Sequence, residues 1–271
     1  MLGINGVYVE QGAFPDHSLL MKFNPLSEEF NINANEAITV SWLYEGDHEL
    51  FSLICLKRHL DKHFYNQAIT LYMPYIPHAR MDRAKNDEDV FTLKSFCEVI
   101  NSLDFTAILV RDAHSNVSLG MLNRVIDVGM TEYVQAIIDQ TSIEALFFPD
   151  EGAMKRYAGN FNIPYAFGLK TRDWETGQIT GLSIVNADNI KGKKVLIVDD
   201  ICSRGGTFYH SASALREMGA SSVSLYVTHL ESTILSGDLP QSGLIDHVFT
   251  TKSIFPAHLE EQCQEWITVI Y

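Results

Sequence analysis

The sequence predicts an α/β protein whose mostly parallel sheets are covered by helices on both faces. Three observations carry that expectation. Short, β-rich apolar runs alternate with segments of helical period along most of the chain. The 271 residues give room for one large domain or two of ordinary size. Apolar residues make up 46% and charged residues 20%, the balance of a globular chain with a sizeable core.

Ala37–Leu43 (AITVSWL) reads as a strand, and Asp47–His63 as a helix with Leu50, Leu53, Ile54 and Leu60 on one face. Ile69–Met73 is the next strand. Phe91–Leu103 follows as a helix with Phe91, Phe96, Val99, Ile100 and Leu103 at its apolar positions, and Ala107–Val110 is the strand after it. The pattern then repeats, with a helix over Thr131–Gln140 and strands at Ala145–Phe148 and Val195–Val198. A helix over Thr207–Met218 and a strand over Val223–Val227 follow, so two similar α/β halves meet near residue 130. The stretch Asp173–Asp188 (DWETGQITGLSIVNAD) lies between strands and reads as a hairpin or flap.

A net charge of −14 leaves no basic stripe to replace phosphate counterions. That argues against a nucleic-acid partner and, for the same reason, against an anionic membrane surface. No run approaches the ~20 apolar residues that span a bilayer. The N-terminus, MLGINGVYVEQGAF, lacks the basic flank and apolar run of a signal peptide. Cys55, Cys97, Cys202 and Cys263 are far apart with no C-x-x-C pair, as expected of reduced thiols in a cytoplasmic protein.

The densest chemistry lies in Val195–Thr207, VLIVDDICSRGGT. An apolar strand ends in Asp199 and Asp200, a small-residue turn runs through Ser203, Arg204, Gly205 and Gly206, and Thr207 opens a helix. Phe208, Ala212, Leu215 and Met218 form the apolar face of that helix. The glycines let backbone N–H groups point into the turn, and the helix N-terminus adds positive potential for a phosphate. Two adjacent carboxylates can accept hydrogen bonds from the cis hydroxyls of a ribose, at the strand end where open α/β sheets bind ligands. A plain βα turn could also use a Gly pair and an Asp cap. The buried strand, the two acids and the Gly-Gly-Thr start together point more specifically to a ribose phosphate. It is not a P-loop, because no Gly-Lys-Ser/Thr follows at the required spacing.

This loop resembles the phosphoribosyl-diphosphate-binding loop shared by type I phosphoribosyltransferases and ribose-phosphate diphosphokinases (PRPP synthetases). Other segments, in family order from residue 14 onward, resemble the diphosphokinases. FPDHS (Phe14–Ser18) is similar to their Phe-Pro-Asp-Gly-Glu nucleotide loop, and MPYIPHARMDR (Met73–Arg83) to their Pro-Tyr run followed by Ala-Arg-x-Asp. TLKSFCEVINSLDFTAILVRDAHS (Thr92–Ser115) resembles the helix, strand and Asp-x-His that come next. FPDEGAMKR (Phe148–Arg156) resembles the Pro-Asp-x-Gly-x-x-Lys-Arg turn, and LKTR (Leu169–Arg172) the Lys-x-Arg catalytic flap.

The resemblance implies two tandem type I phosphoribosyltransferase-like domains. The first, over 1–128, carries the ATP side and the metal-binding His; the second, over 129–271, carries the ribose-phosphate loop and the flap. It also implies transfer of the β,γ-diphosphate of ATP to the anomeric hydroxyl of a ribose 5-phosphate moiety. Such chemistry needs charge neutralisation and in-line positioning more than a covalent nucleophile. In that reading His114 and Asp150 hold a Mg²⁺ that bridges acceptor and ATP phosphates. Lys170 and Arg172 neutralise charge on the transferred group, Arg80 and Asp82 lie at ATP, and Phe14 and Asp16 contact adenine across a subunit interface of a homo-oligomer. Asp199, Asp200, Ser203, Arg204, Gly205, Gly206 and Thr207 hold the ribose phosphate. Simpler readings stay open: His114 as a strand-end histidine, Asp150 as a helix cap, Arg80 and Asp82 as a surface ion pair, Lys170 and Arg172 as solvated charges. His78, His210 and His229 have no pairing argument and read as structural.

The chain departs from the family pattern in four places. Thirteen residues precede Phe14, so the family's first strand and helix are expected to be missing. The chain stops at Tyr271, just after the strand ITVIY, where the family adds a helix. His17-Ser18 stands where Gly-Glu is usual. In the loop, Ser203 replaces an acid and Arg204 a Thr, which makes the pocket more cationic by about two charges and supplies a planar fork for phosphate oxygens. Two acceptors stay open: ADP-ribose, slightly favoured, which a compact phage-type branch of the family converts to ADP-ribose 1-diphosphate for NAD salvage, and ribose 5-phosphate, with Arg204 facing solvent. A phosphoribosyltransferase would not need Met73–Arg83, His114 or Lys170. A non-catalytic regulatory homologue would not need His114, Asp150, Lys170 and Arg172 together.

Overall fold

The structure, a computed structural model, describes residues 1–33 and 36–271 except 173–178, without the side chains of 170–182. They pack into two compact units, Met1–Gly129 and Met130–Tyr271.

In the first unit β1 (Leu2–Ile4) pairs antiparallel with β2 (Val7–Tyr8), and β3 (Gln11–Ala13) forms a hairpin with β4 (Leu19–Met21). Next come β5 (Ile38–Trp42), α1 (Glu49–His63), β6 (Ile69–Tyr72), α2 (Thr92–Ser102), β7 (Ala107–Val110), α3 (Asn116–Met121) and β8 (Val125–Asp127). The sheet order is β2-β1-β5-β6-β7-β8, parallel from β5 to β8 and antiparallel where β1 meets β5. A strand therefore does precede Phe14, contrary to expectation, because Leu2 and Ile4 are apolar enough to be buried against β5. Leu53, Leu56 and Leu60 of α1 share one core with Ile38, Val40, Trp42 and Leu71, as helical and strand periods require. Glu49 at the start of α1 is buried, yet its carboxylate accepts from Trp42 Nε1 at 2.9 Å and from the Glu45 amide at 2.8 Å and pairs with the terminal ammonium.

The second unit contains α4 (Thr131–Thr141), β9 (Ala145–Phe148), α5 (Glu151–Tyr157), β10 (Tyr165–Arg172), β11 (Ile179–Val185) and β12 (Lys194–Cys202). It continues through α6 (Gly206–Glu217), β13 (Ser222–Leu230), α7 (Leu239–Ser242), β14 (His247–Thr251), α8 (Ala257–Cys263) and β15 (Ile267–Ile270). The sheet order is β11-β10-β9-β12-β13-β14-β15, parallel except for the β10–β11 hairpin. The run VLIV in β12 is continuous because both faces are covered. Val195 and Ile197 join Phe208, Ala212 and Leu215 of α6, while Leu196 and Val198 join Val134 and Ile137 of α4 and Tyr157 of α5.

Two details correct the sequence reading. β12 does not end at Val198 but runs to Cys202, because β13 offers ladder partners that far, with Asp199 opposite Val227 and Cys202 opposite Leu230. The acids therefore lie inside the strand, on alternate faces. The following helix opens at Gly206, with Gly205 as its cap, instead of at Thr207. Of the stretch Asp173–Asp188, read as a hairpin or flap, residues 173–178 lie outside those described. Ile179–Val185 forms β11 antiparallel to β10, with Lys170 opposite Leu182 and Arg172 opposite Ile179. Among the described residues no helix is long and apolar enough to cross a membrane.

Candidate active site

From β9 the chain winds outward through α5 to β10, and from β12 through α6 to β13, on the other side. The two helices lie on opposite faces of the sheet. The order thus reverses between β9 and β12, and a crevice opens at their carboxyl ends, the usual ligand position of a doubly wound sheet. Asp150 follows β9; Asp199 and Asp200 lie near the end of β12. Asp150 is the N-cap of α5, its Oδ1 accepting from the Ala153 amide at 3.0 Å, so the helix-cap reading describes that oxygen. Asp200 is 6% exposed and its Oδ2 lies 3.9 Å from Nη1 of Arg156. Burial, then the neighbouring Asp200 charge and the more distant Asp150, push the Asp199 carboxyl up to about 8. A cation beside that carboxyl, or hydroxyls donating to it, would bring it down again.

The loop after β12 gives that crevice an anion-binding rim. Gly205 caps α6 at φ 83°, a left-handed conformation for which glycine carries no Cβ penalty. Gly206 and Thr207 begin the helix, where backbone N–H groups lack intrahelical partners. Arg204, Gly206 and Thr207 are exposed, Ser203 is half-buried and Gly205 is buried.

Lys170 and Arg172 belong to β10, which pairs with β9 only as far as Phe167. Their backbone therefore continues past the carboxyl end of β9, on the strand beside the one that precedes Asp150; their side chains lie outside those described.

In the first unit the loops after the adjacent strands β6 and β7 meet at their carboxyl ends. Asp82 Oδ2 accepts from Ser115 Oγ at 3.0 Å, and its Oδ1 lies 3.0 Å from Arg83 Nε. Arg83, then Ser115 and more weakly His114, hold the Asp82 carboxyl below its usual range. His114 and Arg80 are exposed. Asp82 thus pairs with Arg83, a partner the sequence reading did not name. His78, read as structural, has Nε2 3.0 Å from Asp47 Oδ1, and the buried His229 has Nδ1 3.0 Å from Ser253 Oγ. Among the described residues no three His, Cys, Asp or Glu side chains are grouped to hold a metal ion.

Phe14, 49% exposed, and Asp16 sit in the turn between β3 and β4. Asp16 Oδ1 accepts from the Ser18 amide at 3.0 Å and from Ser18 Oγ at 2.6 Å, and these bonds lower its pKa.

Residues 153–264 match the model of the phosphoribosyl transferase domain. Across 239 residues the chain is 28% identical to a ribose-phosphate pyrophosphokinase of Saccharolobus solfataricus, covering 85% of this chain and 79% of that one. The corresponding protein of Sulfurisphaera tokodaii is 26% identical over 226 residues, 82% of this chain and 76% of its own. Along most of its length the chain is similar to ribose-phosphate pyrophosphokinases. In fold it is similar to the crystal structure of the phosphoribosylpyrophosphate synthetase from Mycobacterium smegmatis. The TM-score is 0.73 at 20% identity, over 97% of this chain and 85% of that one.

Two departures from the ribose-phosphate pyrophosphokinase pattern now have physical content. His17 occupies φ 64°, a position that suits the glycine it replaces. His17→Gly is expected to tighten the turn, slowing hydrogen exchange of the Phe14 and His17 amides about two- to fivefold. Both are hydrogen-bonded in the turn, at 2.9 and 2.8 Å, and unchanged exchange would show that the turn bears no strain at His17. Arg204, which stands where the resemblance would place a Thr, is exposed in the loop after β12. Sequence reasoning missed Arg156, which sits within the quoted FPDEGAMKR motif but meets Asp200 only once β9 and β12 are adjacent.

Proposed function

We propose that the protein is a Mg²⁺-dependent diphosphokinase that transfers the β,γ-diphosphate of ATP to the anomeric hydroxyl of a ribose 5-phosphate moiety. The crevice at the switch point between β9 and β12 carries this reading, since it joins paired carboxylates to a glycine-capped helix start. Asp199 and Asp200 accept hydrogen bonds from the ribose hydroxyls, and the amides of Gly205, Gly206 and Thr207, with Ser203 beside them, hold the 5-phosphate. The anomeric oxygen forms a bond to the β-phosphorus of ATP, the bond from that phosphorus to the oxygen bridging the α-phosphorus breaks, AMP leaves, and the hydroxyl proton passes to solvent. Lys170 and Arg172 neutralise charge that builds on the transferred group. Arg80, Asp82, Phe14 and Asp16 serve ATP, and the enzyme is a homo-oligomer.

Asp150 offers the hard carboxylate oxygen that suits Mg²⁺, and His114 is proposed as a ligand from the family resemblance. When bound, Mg²⁺ would neutralise phosphate charge and keep most of its waters.

For the acceptor we favour ADP-ribose. The replacement of an acid and a Thr by Ser203 and Arg204 adds a planar guanidinium fork where the diphosphate of ADP-ribose has a second phosphate to hold and a monoester has none. The ordinary reading, ribose 5-phosphate, has the names of the curated relatives behind it. An acceptor screen separates them: the protein is incubated with Mg²⁺ and ATP plus one acceptor, and AMP is measured. AMP with ADP-ribose alone is the expected result; AMP with ribose 5-phosphate alone assigns the ordinary acceptor, and AMP with neither defeats the kinase reading. Arg204→Thr is expected to lower kcat/KM for ADP-ribose about tenfold more than for ribose 5-phosphate, the effect of one charge-assisted phosphate contact. Equal losses would put Arg204 in solvent.

A further inference from the structure

The segment after β13 folds back beneath the ribose-phosphate loop. The Glu231 amide donates to the Cys202 carbonyl at 2.8 Å, and the chain then turns through a 3-10 helix, Ser232–Ser236, to Gly237 and α7. Gly237 has φ −87° and ψ 179°, a conformation open to any residue, so backbone freedom does not explain a glycine here. What explains it is a close approach. A Cβ at position 237 would collide with the Arg204 carbonyl oxygen and lie 3.1 Å from the carbonyl carbon. At the next residue of the loop, a Cβ at Gly205 would lie 2.9 Å from Leu239 Cδ2.

We propose that Gly237 and Leu239 form a shelf that sets the Arg204–Gly205 peptide plane, and that this shelf determines affinity for the acceptor's phosphate. The peptide bond is trans, so its carbonyl and its N–H point in opposite directions. With the Arg204 carbonyl directed at Gly237, the Gly205 N–H points away from the shelf and adds a donor to those of the helix start. The shelf has no polar side chain to offer a ligand; Gly237 is a positioning residue that acts through that amide. A methyl group at 237 has backbone, not a flexible side chain, in its way, so the peptide plane must rotate or the loop must lift. Leu239 acts from the other side, filling the space against the buried Gly205.

The inference rests on the ribose-phosphate reading of the loop, and the experiment keeps the two apart. Ribose 5-phosphate and, separately, ADP-ribose are titrated calorimetrically into wild type, Gly237→Ala and Leu239→Ala, and KM and kcat are measured in parallel. Gly237→Ala is expected to weaken acceptor binding at least about tenfold, the loss of one donor to a charged group, while KM for ATP and kcat change less than about twofold. Leu239→Ala removes packing without a clash and is expected to weaken the acceptor in the same direction, which keeps the test usable where Gly237→Ala folds poorly. Wild type that binds neither sugar phosphate ends the reading of the loop and the shelf with it. Wild type that binds, with both variants binding equally well, overturns the shelf alone. Equal losses for ATP and acceptor would make Gly237 a purely structural residue and also overturn it.

Discussion

Lys170→Ala is expected to slow AMP release about 10²–10³-fold, the usual loss when one group that stabilises developing charge is removed. Lys170 lies on β10 past its last pairing with β9, the strand whose carboxyl end carries Asp150. If it meets the diphosphate in transit, it acts on charge that is greatest in the transition state, so kcat falls and KM for the acceptor moves little. Lys170→Arg keeps the charge and should recover part of the rate. Steady-state kinetics with saturating Mg²⁺ and ATP makes the test. Unchanged turnover in the alanine variant would sink the catalytic assignment of the whole Lys-x-Arg segment.

The second large effect concerns stability and pH. The Asp199 carboxyl titrates from an ordinary value of 3.8 when unfolded, but burial and the Asp200 and Asp150 charges raise it to about 8 in the fold. The fold therefore binds a proton that the unfolded chain has already released. Its contribution to stability is fully present below pH 3.8 and is lost as pH rises through about 8. The slope is at most about 1.4 kcal/mol per pH unit for one proton. Asp199→Asn removes that charge and should flatten the profile. In buffer without divalent cations, urea unfolding at pH 5 and pH 8 should show wild type losing more stability than the variant. At pH 8 the variant should be the more stable by at least about 1 kcal/mol. Equal pH slopes for the two proteins would show that Asp199 ionises freely in the fold. The same substitution should weaken acceptor binding, because the Asn amide cannot match a carboxylate for ribose hydroxyls.

Much of the α/β order was legible because buried strands and amphipathic helices leave periodic marks. Ala107–Val110 and Ala145–Phe148 are strands with the predicted bounds, and α1 and α4 begin or end within two residues of theirs. β14 was not legible, because Thr250 and Thr251 are buried hydroxyl residues that mimic a polar loop. Their burial depends on the Thr228 carbonyl, which accepts from Thr251 Oγ1 at 2.8 Å and from Ser253 Oγ at 3.0 Å. The site was legible in the same local sense. Asp150, Asp199 and the Gly205–Thr207 turn are short-range patterns. Arg156 beside Asp200 and Gly237 beneath Arg204 are not, since each partner lies more than thirty residues away in the chain.

By itself the sequence determined the alternation of strands and helices, the positions of the chemistry-bearing loops and their likeness to a phosphate-handling family, because each is written in residue types at close spacing. The tertiary structure decided three further things. It carried β12 on to Cys202, set Asp150 and Asp199 across one switch point, and placed Gly237 under the loop. Ladder pairing, Coulomb repulsion and steric contact act through space between residues remote in the chain, so no local pattern records them.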